Sequence, residues 1–278
     1  MQVGVHLPQY GRVASADAVT RAARHAEDLG FAGVWVSDHT VHPAAQDYPS
    51  PVLYDPLVTL TWAAAVTTRV GLGTSVLVVP QHNPLELANS LASLDNLSGG
   101  RLTVGVGVGW SAAEFAALGY DFGNRGRRTD EALRLWRTVW RDDPASFAGE
   151  HVAFEDVRVL PQPAHDIPIW VGGSAEPAYR RAVELGDGYQ FVGSTPEQVA
   201  APIARLRRDR PEDGFVISLR TGWDPQGMEP DRIRAERDQF AEAGISYVVA
   251  APWRRDVDDW LRSLELLAGL VELEAPAT

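Results

Sequence analysis

The chain contains neither cysteine nor lysine. The absence of cysteine excludes disulfide bonds, thiolate metal sites and cysteine nucleophiles. The absence of lysine excludes a lysine Schiff base, and all 25 cationic residues are therefore arginine. Anionic ligands must then be held by arginine side chains, hydroxyl groups or backbone N–H groups.

Long apolar runs and a basic, apolar N-terminal segment are also missing. No stretch approaches the ~20 apolar residues that a membrane span needs, and the first residues, MQVGVHLPQY, do not have the pattern of a signal peptide. The formal net charge of -12 argues against nucleic-acid binding. We therefore expect a cytoplasmic protein that acts on a small molecule and binds neither membranes nor nucleic acid.

The chain does contain a regular alternation of short apolar runs with segments of helical spacing. Continuous apolar strands are typical of a parallel sheet that is covered on both faces. Eight such units in 278 residues predict an α/β protein, a (β/α)8 barrel forming a single domain over residues 1–278. The predicted strands are Gln2–Leu7, Gly33–Ser37, Val70–Val79, Leu102–Val108, Pro168–Val171, Tyr189–Val192, Phe215–Thr221 and Tyr247–Ala251.

The segments between these strands predict the helices and one insertion. Ser15 and Asp55 are expected to cap the first two helices. The segment His151–Pro163 breaks the rhythm and predicts an insertion with β character before the fifth strand. The predicted helices are Asp17–Leu29, Pro56–Thr67, Pro84–Leu97, Thr129–Trp140, Glu176–Leu185, Pro196–Arg208, Pro230–Ala243 and Val257–Val271.

The fourth strand has an unusual composition. Gly105, Gly107 and Gly109 alternate with valines, although glycine weakens a strand. This spacing indicates that a flat ligand or another backbone comes very close to one face. Trp110 and Glu114 follow directly, so the end of this strand resembles a site more than a plain core strand.

In a (β/α)8 barrel the active site lies at the C-terminal ends of the strands. Asp38 and His39 follow the second strand and are either an acid–base pair that contacts a cofactor or an ordinary loop ion pair. A metal site built from His39, His42, His82 and Asp38 would lack the usual ligand spacings, so we expect no metal. Ser75 and Ser174 are available as nucleophiles, but no G-x-S-x-G elbow supports a hydrolase.

Two glycine-containing turns open helices and suit a phosphate group. Gly172-Gly173-Ser174 leads into the helix after the fifth strand, and Gly193-Ser194-Thr195 does the same after the sixth. The alternative is an ordinary turn that is capped by Ser174. The glycines of Gly105–Gly109 lie inside a strand and therefore are not a dinucleotide fingerprint.

Taken together, these motifs resemble the luciferase-like monooxygenase superfamily, and within it the oxidoreductases that depend on the deazaflavin coenzyme F420. The resemblance covers most of residues 1–195 and fades after about residue 200. The matching segments are LGFAGVWVSDH (Leu29–His39), VGLGTSVLVVPQHNP (Val70–Pro84), the stretch Leu94–Gly119, RGRRTDEAL with the following LW (Arg125–Trp136), and the stretch Leu160–Ser174.

The resemblance implies a homodimeric barrel with F420, or alternatively FMN, at the strand ends. It also implies a non-proline cis peptide at Ser75-Val76 and a proton donor or acceptor at His39. Asp38 would orient His39 or contact the ring, and Glu114 is a second catalytic candidate or a plain helix-start carboxylate. The implied cofactor contacts are Asp38, His39, Thr74, Ser75, Val76, Gly107, Gly109, Trp110, Gly172, Gly173, Ser174 and Gly193.

One departure from the family pattern concerns the substrate. In the sugar-phosphate dehydrogenase branch a carboxylate follows the glycines of the fourth strand, and here Trp110 stands in that place. An apolar or aromatic substrate near Trp35, Trp110, Trp223 or Trp253 is therefore favoured over glucose 6-phosphate. Arg125, Arg127 and Arg128 either attract the anionic tail of the cofactor or form a structural network. The alternatives to an F420-dependent oxidoreductase are an FMN-dependent monooxygenase and a non-catalytic cofactor-binding protein.

Overall fold

A computed structural model describes residues 1–44 and 50–274 of the chain. Its central feature is a closed barrel of eight parallel strands, as predicted. Around the barrel the order is β1, β2, β3, β4, β7, β8, β9 and β10. These strands are β1 (Gln2–His6), β2 (Gly33–Val36), β3 (Gly71–Val78), β4 (Leu102–Gly107), β7 (Ile169–Gly172), β8 (Gly188–Val192), β9 (Val216–Thr221) and β10 (Tyr247–Ala250).

The predicted insertion is an antiparallel hairpin of β5 (Ala145–Ala148) and β6 (Ala153–Val157) before β7. The sequence pattern located only the second of its two strands. Glu131 fixes the turn of the hairpin, because its carboxylate accepts hydrogen bonds from the backbone N–H groups of residues 150–152 at 2.7–3.1 Å.

Helices surround the barrel, and most of their ends lie within one or two residues of the prediction. Ser15 and Asp55 cap the first two helices by accepting the N–H groups of Ala18 and Val58. The helices are α1 (Ala16–Asp28), α2 (Pro56–Val66), α3 (Pro84–Ser98), α4 (Ala112–Ala117), α5 (Arg125–Val139), α6 (Glu176–Leu185), α7 (Pro196–Asp209), α8 (Pro230–Ala243) and α9 (Val257–Leu270).

The sequence predicted an irregular loop between β4 and a helix beginning at Thr129, and this prediction is wrong in part. The segment contains the short helix α4, and α5 begins one turn earlier, at Arg125. Ser111 caps α4 by accepting the N–H of Glu114 at 3.3 Å. The guanidinium groups of Arg125 and Arg128 lie 3.8 and 4.4 Å from the ring centroids of Phe122 and Tyr120. These cation–π contacts stabilise the first turn of α5. That turn, RGRR, is polar and contains glycine, so it lacks the apolar spacing by which a helix is predicted.

The core has two parts, one inside the barrel and one between the strands and helices. Inside the barrel, Trp35 stacks on Trp170 at 5.1 Å, and its indole N–H donates to the Tyr247 hydroxyl at 3.0 Å. These rings also line a cavity of about 400 Å³ that is bordered by the N-terminal ends of several strands. Within the described part of the chain, none of the helices is long and apolar enough to cross a bilayer.

Candidate active site

The predicted site residues after β2, β3 and β4 meet at the C-terminal end of the barrel, which we call the mouth. His39 donates from Nδ1 to Glu114 Oε2 at 3.1 Å, and the other oxygen of Glu114 accepts the N–H of Thr40 at 3.0 Å. Glu114 is buried, whereas the His39 side chain keeps 15% of its surface exposed. The pair therefore leaves His39 Nε2 able to exchange a proton with a bound molecule.

Glu114 is held as a carboxylate. Burial opposes its ionisation, but the hydrogen bonds from His39 and the backbone outweigh burial, so the pKa of Glu114 lies below its ordinary value. The expectation that Glu114 is a plain helix-start carboxylate is therefore incomplete. It occupies the first turn of α4 and also orients the histidine.

Asp38 does not orient His39, and that part of the prediction is wrong. Asp38 Oδ2 accepts hydrogen bonds from His82 Nε2 at 2.8 Å and from the N–H of Val78 at 2.9 Å. Burial lowers the pKa of His82, but the hydrogen bond and charge of Asp38 outweigh burial, and the net pKa is raised. The mouth therefore contains two separate His–carboxylate pairs.

The glycines of β4 make room for β3. A Cβ at Gly105 would lie 2.1 Å from the Thr74 carbonyl oxygen, and a Cβ at Gly107 would lie 2.5 Å from Val76 Cγ2. Gly109 has φ +75° and lies against Val78 and Phe115. The direct neighbour of this glycine face is therefore β3, and a ligand contacts Gly107 only past the Val76 side chain.

The peptide Ser75-Val76 is cis, as expected, and the pairing of β3 with β4 shifts register between Thr74 and Leu77. The Val76 side chain lies between two glycines, because a Cβ at Gly172 would come within 2.8 Å of Val76 Cγ1. Val76 keeps part of its surface exposed. We call the Val76 side chain with Gly107 and Gly172 the valine platform.

Polar residues that the sequence reasoning missed hold Ser75 in place. Its hydroxyl donates to Gln190 Oε1 at 2.6 Å, so it is not paired with a histidine as a hydrolase nucleophile would be. Its carbonyl oxygen accepts from Arg220 Nη1, which also donates to Ser37 Oγ at 2.9 Å. Single polar residues inside the apolar runs YQFV and ISLRT are the signal that could have identified Gln190 and Arg220.

His6 is a buried polar group that is hydrogen-bonded to Ser37, and the structure keeps its imidazole neutral. Nδ1 lies 2.9 Å from the Leu7 carbonyl oxygen and Nε2 lies 2.9 Å from Ser37 Oγ. A carbonyl only accepts, so Nδ1 carries the hydrogen and Nε2 accepts from Ser37. Burial and the nearby charge of Arg220 lower the pKa of His6 well below its ordinary value.

The turn Gly172–Ser174 also lies at the mouth, but Ser174 is not the helix cap. The cap position of α6 is Ala175, which has no hydrogen-bonding side chain. No side chain therefore caps the N-terminus of α6, and the N–H of Ala178 donates to the Ala175 carbonyl oxygen instead. The second predicted turn differs, because the N–H of Gly193 donates to the Arg220 carbonyl and the N–H of Thr195 donates to the Gln198 side chain.

Two of the four tryptophans predicted near the substrate are elsewhere. Trp35 lies inside the barrel, and Trp223 is buried with its N–H donating to Glu236 at 2.9 Å. Trp110 and Trp253 are exposed at the mouth.

Arg125 and Arg128 stack on aromatic rings, and Arg127 lies 3.6 Å from Glu150, which supports the structural interpretation of this arginine cluster. In the described ranges no group of three or more His, Asp or Glu side chains could hold a metal ion.

Comparisons with known proteins show the family and the fold. The family model described as luciferase-like monooxygenase matches residues 1–222. An uncharacterized protein of Mycobacterium tuberculosis is 32% identical over 266 residues, which cover 89% of this chain and 91% of that protein. An F420-dependent glucose-6-phosphate dehydrogenase of Kineococcus radiotolerans is 36% identical over 171 residues, which cover 60% of this chain and 50% of that enzyme.

Among solved structures, a monooxygenase from Streptomyces bottropensis has the same fold. Its TM-score is 0.83 at 24% sequence identity, and the match covers 98% of this chain and 99% of that one. The likeness extends over the whole barrel, including the part after residue 200 where the sequence motifs fade.

Proposed function

The chain belongs to the luciferase-like monooxygenase family, and we propose that it is an oxidoreductase that uses F420 to exchange a hydride with a small organic substrate. The observation that carries the proposal is the His39–Glu114 pair at the barrel mouth, on the same side of the barrel as the valine platform. The relationship to an F420-dependent dehydrogenase supports this choice of cofactor.

The residues at the mouth fit a flat ring with polar edges. The valine platform offers an apolar surface, and two buried polar atoms, Asp38 Oδ1 and Gln190 Nε2, have no hydrogen-bond partner among the described residues. Asp38 Oδ1 is a hydrogen-bond acceptor and Gln190 Nε2 is a donor. A ring of the flavin or deazaflavin type has both N–H donors and carbonyl acceptors that could pair with them. The turn Gly172–Ser174 before α6, which is exposed at Gly173 and Ser174, would hold the phosphate of the cofactor arm.

When bound, the deazaflavin supplies a carbon that accepts or donates a hydride. The chain's own residues manage the proton that accompanies the hydride. His39 Nε2 donates a proton to the substrate oxygen during reduction, or removes it during oxidation. Glu114 stays ionised and holds the imidazole in one orientation by accepting the hydrogen bond from Nδ1.

Cofactor binding is tested by titrating the purified protein separately with F420 and with FMN and following fluorescence. We expect F420 to bind more tightly than FMN. Tight FMN binding without F420 binding would replace this proposal with a reduced-flavin monooxygenase. A protein that binds neither cofactor would contradict both functions.

The role of His39 is tested by His39→Ala, with oxidation or reduction of F420 followed on a panel of small alcohols and carbonyl compounds. We expect turnover to fall by about 10²-fold or more, with cofactor affinity changed little. His25→Ala is the matched control, because His25 lies 3.2 Å from Glu265 on the outside of the barrel. An unchanged rate in His39→Ala would remove His39 from the mechanism.

A further inference from the structure

Two exposed indoles stand at the barrel mouth beside the proposed proton-exchanging residue. Trp110 is 53% exposed and meets the His39 ring edge-on with centroids 5.8 Å apart. Trp253 is 47% exposed and packs on Tyr10 at 4.6 Å. Val192, at the end of β8, is 59% exposed. Large exposed apolar side chains at the C-terminal ends of barrel strands are typical of a binding surface.

The two indoles are connected through the end of β2. Trp253 lies 5.9 Å from the His6 ring, and His6 is hydrogen-bonded to Ser37 at 2.9 Å. Ser37 precedes His39 by two residues, and His39 in turn contacts Trp110. Trp110 therefore lies beside His39 itself, and Trp253 is connected to the end of β2 through His6 and Ser37.

Two cations beside Trp253, Arg220 and Arg254, are in contact with protein oxygens. Arg220 lies 5.5 Å from the Trp253 ring and donates to Ser37 and Ser75. Arg254, the next residue after Trp253, forms an ion pair with Asp224 at 2.6 Å. An anionic substrate group placed against Trp253 would compete with these oxygens for the guanidinium groups. The indoles and Val192 offer it no compensating partner, whereas they match an uncharged apolar body.

We propose that the substrate is an uncharged carbonyl compound with an aromatic or cyclic apolar body, or the alcohol to which it is reduced. The inference rests on the proposed function for its chemistry. In the reducing direction a hydride from reduced F420 adds to the carbonyl carbon, and the C=O π electrons move to oxygen. The oxygen takes the proton of His39, which yields the secondary or primary alcohol and oxidised F420.

The experiment compares acetophenone with para-acetylbenzoate, the same aryl ketone with a carboxylate added at the para position. Each is titrated by calorimetry into wild-type protein saturated with F420, whose own dissociation constant is measured first. We expect acetophenone to bind at least about tenfold more tightly than the carboxylate. Equal or tighter binding of para-acetylbenzoate, or no binding of acetophenone, would overturn the inference. Failure of F420 to bind in the first titration would instead contradict the proposed function.

Substitutions locate the binding surface. In Trp110→Ala and Trp253→Ala we expect the dissociation constant of acetophenone to rise about five- to tenfold at saturating F420. The control is Leu266→Ala, which removes an apolar side chain of similar exposure (41%) on the outer helix α9. If the two tryptophan variants bind acetophenone as the control does, the indoles are not the substrate surface and the inference fails.

Discussion

At the scale of single residues, the site depends on which carboxylate meets which histidine. Asp38 and His39 are adjacent in sequence, yet each is paired with a different residue, His82 and Glu114. Side chains of consecutive residues in strand-like backbone point to opposite sides, so direct neighbours seldom pair. Each histidine is therefore bound to its own buried carboxylate at the mouth, and both imidazoles stay partly exposed.

The His82–Asp38 pair makes stability depend on pH. The folded-state pKa of His82 lies above its ordinary value of 6.5, so its contribution is fully present below that value and is lost as the pH rises through the raised pKa. We expect His82→Gln to cost about 1–3 kcal/mol in free energy of unfolding at pH 5.5–6 and less at pH 9. Urea unfolding of both proteins at the two pH values measures this, and an equal cost at both would contradict it.

Glu114 makes the free energy of unfolding depend on pH in the opposite direction. Its pKa is lowered in the folded state, so its contribution is present above the ordinary value of 4.5 and is lost as the pH falls through the folded pKa. We expect Glu114→Gln to cost about 1–3 kcal/mol at pH 7 and less near pH 4.

The control for Glu114→Gln is Glu131→Gln, because Glu131 also accepts several backbone N–H groups but lies at the hairpin. Both variants are expected to lose stability at pH 7 by chemical unfolding. Only Glu114→Gln should also lower turnover, since only Glu114 orients His39. A loss of turnover in both would indicate a purely structural effect.

At the scale of elements, the close pairing of β3 with β4 shapes the mouth. The alternating glycines predicted a close neighbour, and the structure identifies it as the backbone and side chains of β3. Sequence could not distinguish this from a ligand, because either one requires the same missing Cβ. The valine platform exists only because β3 and β7 lie on both sides of β4 and bring Gly107 and Gly172 to one side chain.

The tightest of these contacts gives a stability prediction. In Gly105→Ala the new Cβ would meet the Thr74 carbonyl oxygen, which is backbone and cannot rotate away. We expect a loss of about 1–3 kcal/mol or more in free energy of unfolding. Gly269→Ala is the control, because this helical glycine has open space around it and alanine favours a helix by about 0.5–1 kcal/mol. Thermal unfolding of the two variants should therefore shift in opposite directions.

At the scale of the whole molecule, one outer face of the barrel has few charges. Helix α2 carries no charged residue although the chain has a net charge of -12, and its Val58 and Trp62 are 69% and 50% exposed. Leu97 on the neighbouring helix α3 is 76% exposed. We propose that a second copy of the chain covers this face, in accord with the homodimer expected from the sequence.

Light scattering after size-exclusion chromatography tests the dimer. We expect wild type to be a dimer and Trp62→Glu to be a monomer, because the glutamate would be buried unpaired in the interface. Leu266→Glu on α9 should remain a dimer. A monomeric wild-type protein, or a Trp62→Glu variant that remains dimeric, would contradict the proposal.

The sequence by itself determined the barrel, because eight apolar runs at regular spacing are a local signal that each strand and helix carries alone. It also predicted that the site lies at the C-terminal ends of the strands, and it identified several residues there, including His39, the Ser75-Val76 peptide and the glycines of β4. Only the tertiary structure decided that Glu114 pairs with His39, and that Gln190 and Arg220 are hydrogen-bonded to Ser75. The partners are 75 residues apart for His39 and Glu114, 115 for Ser75 and Gln190, and 145 for Ser75 and Arg220, so no local sequence pattern relates them until the barrel closes.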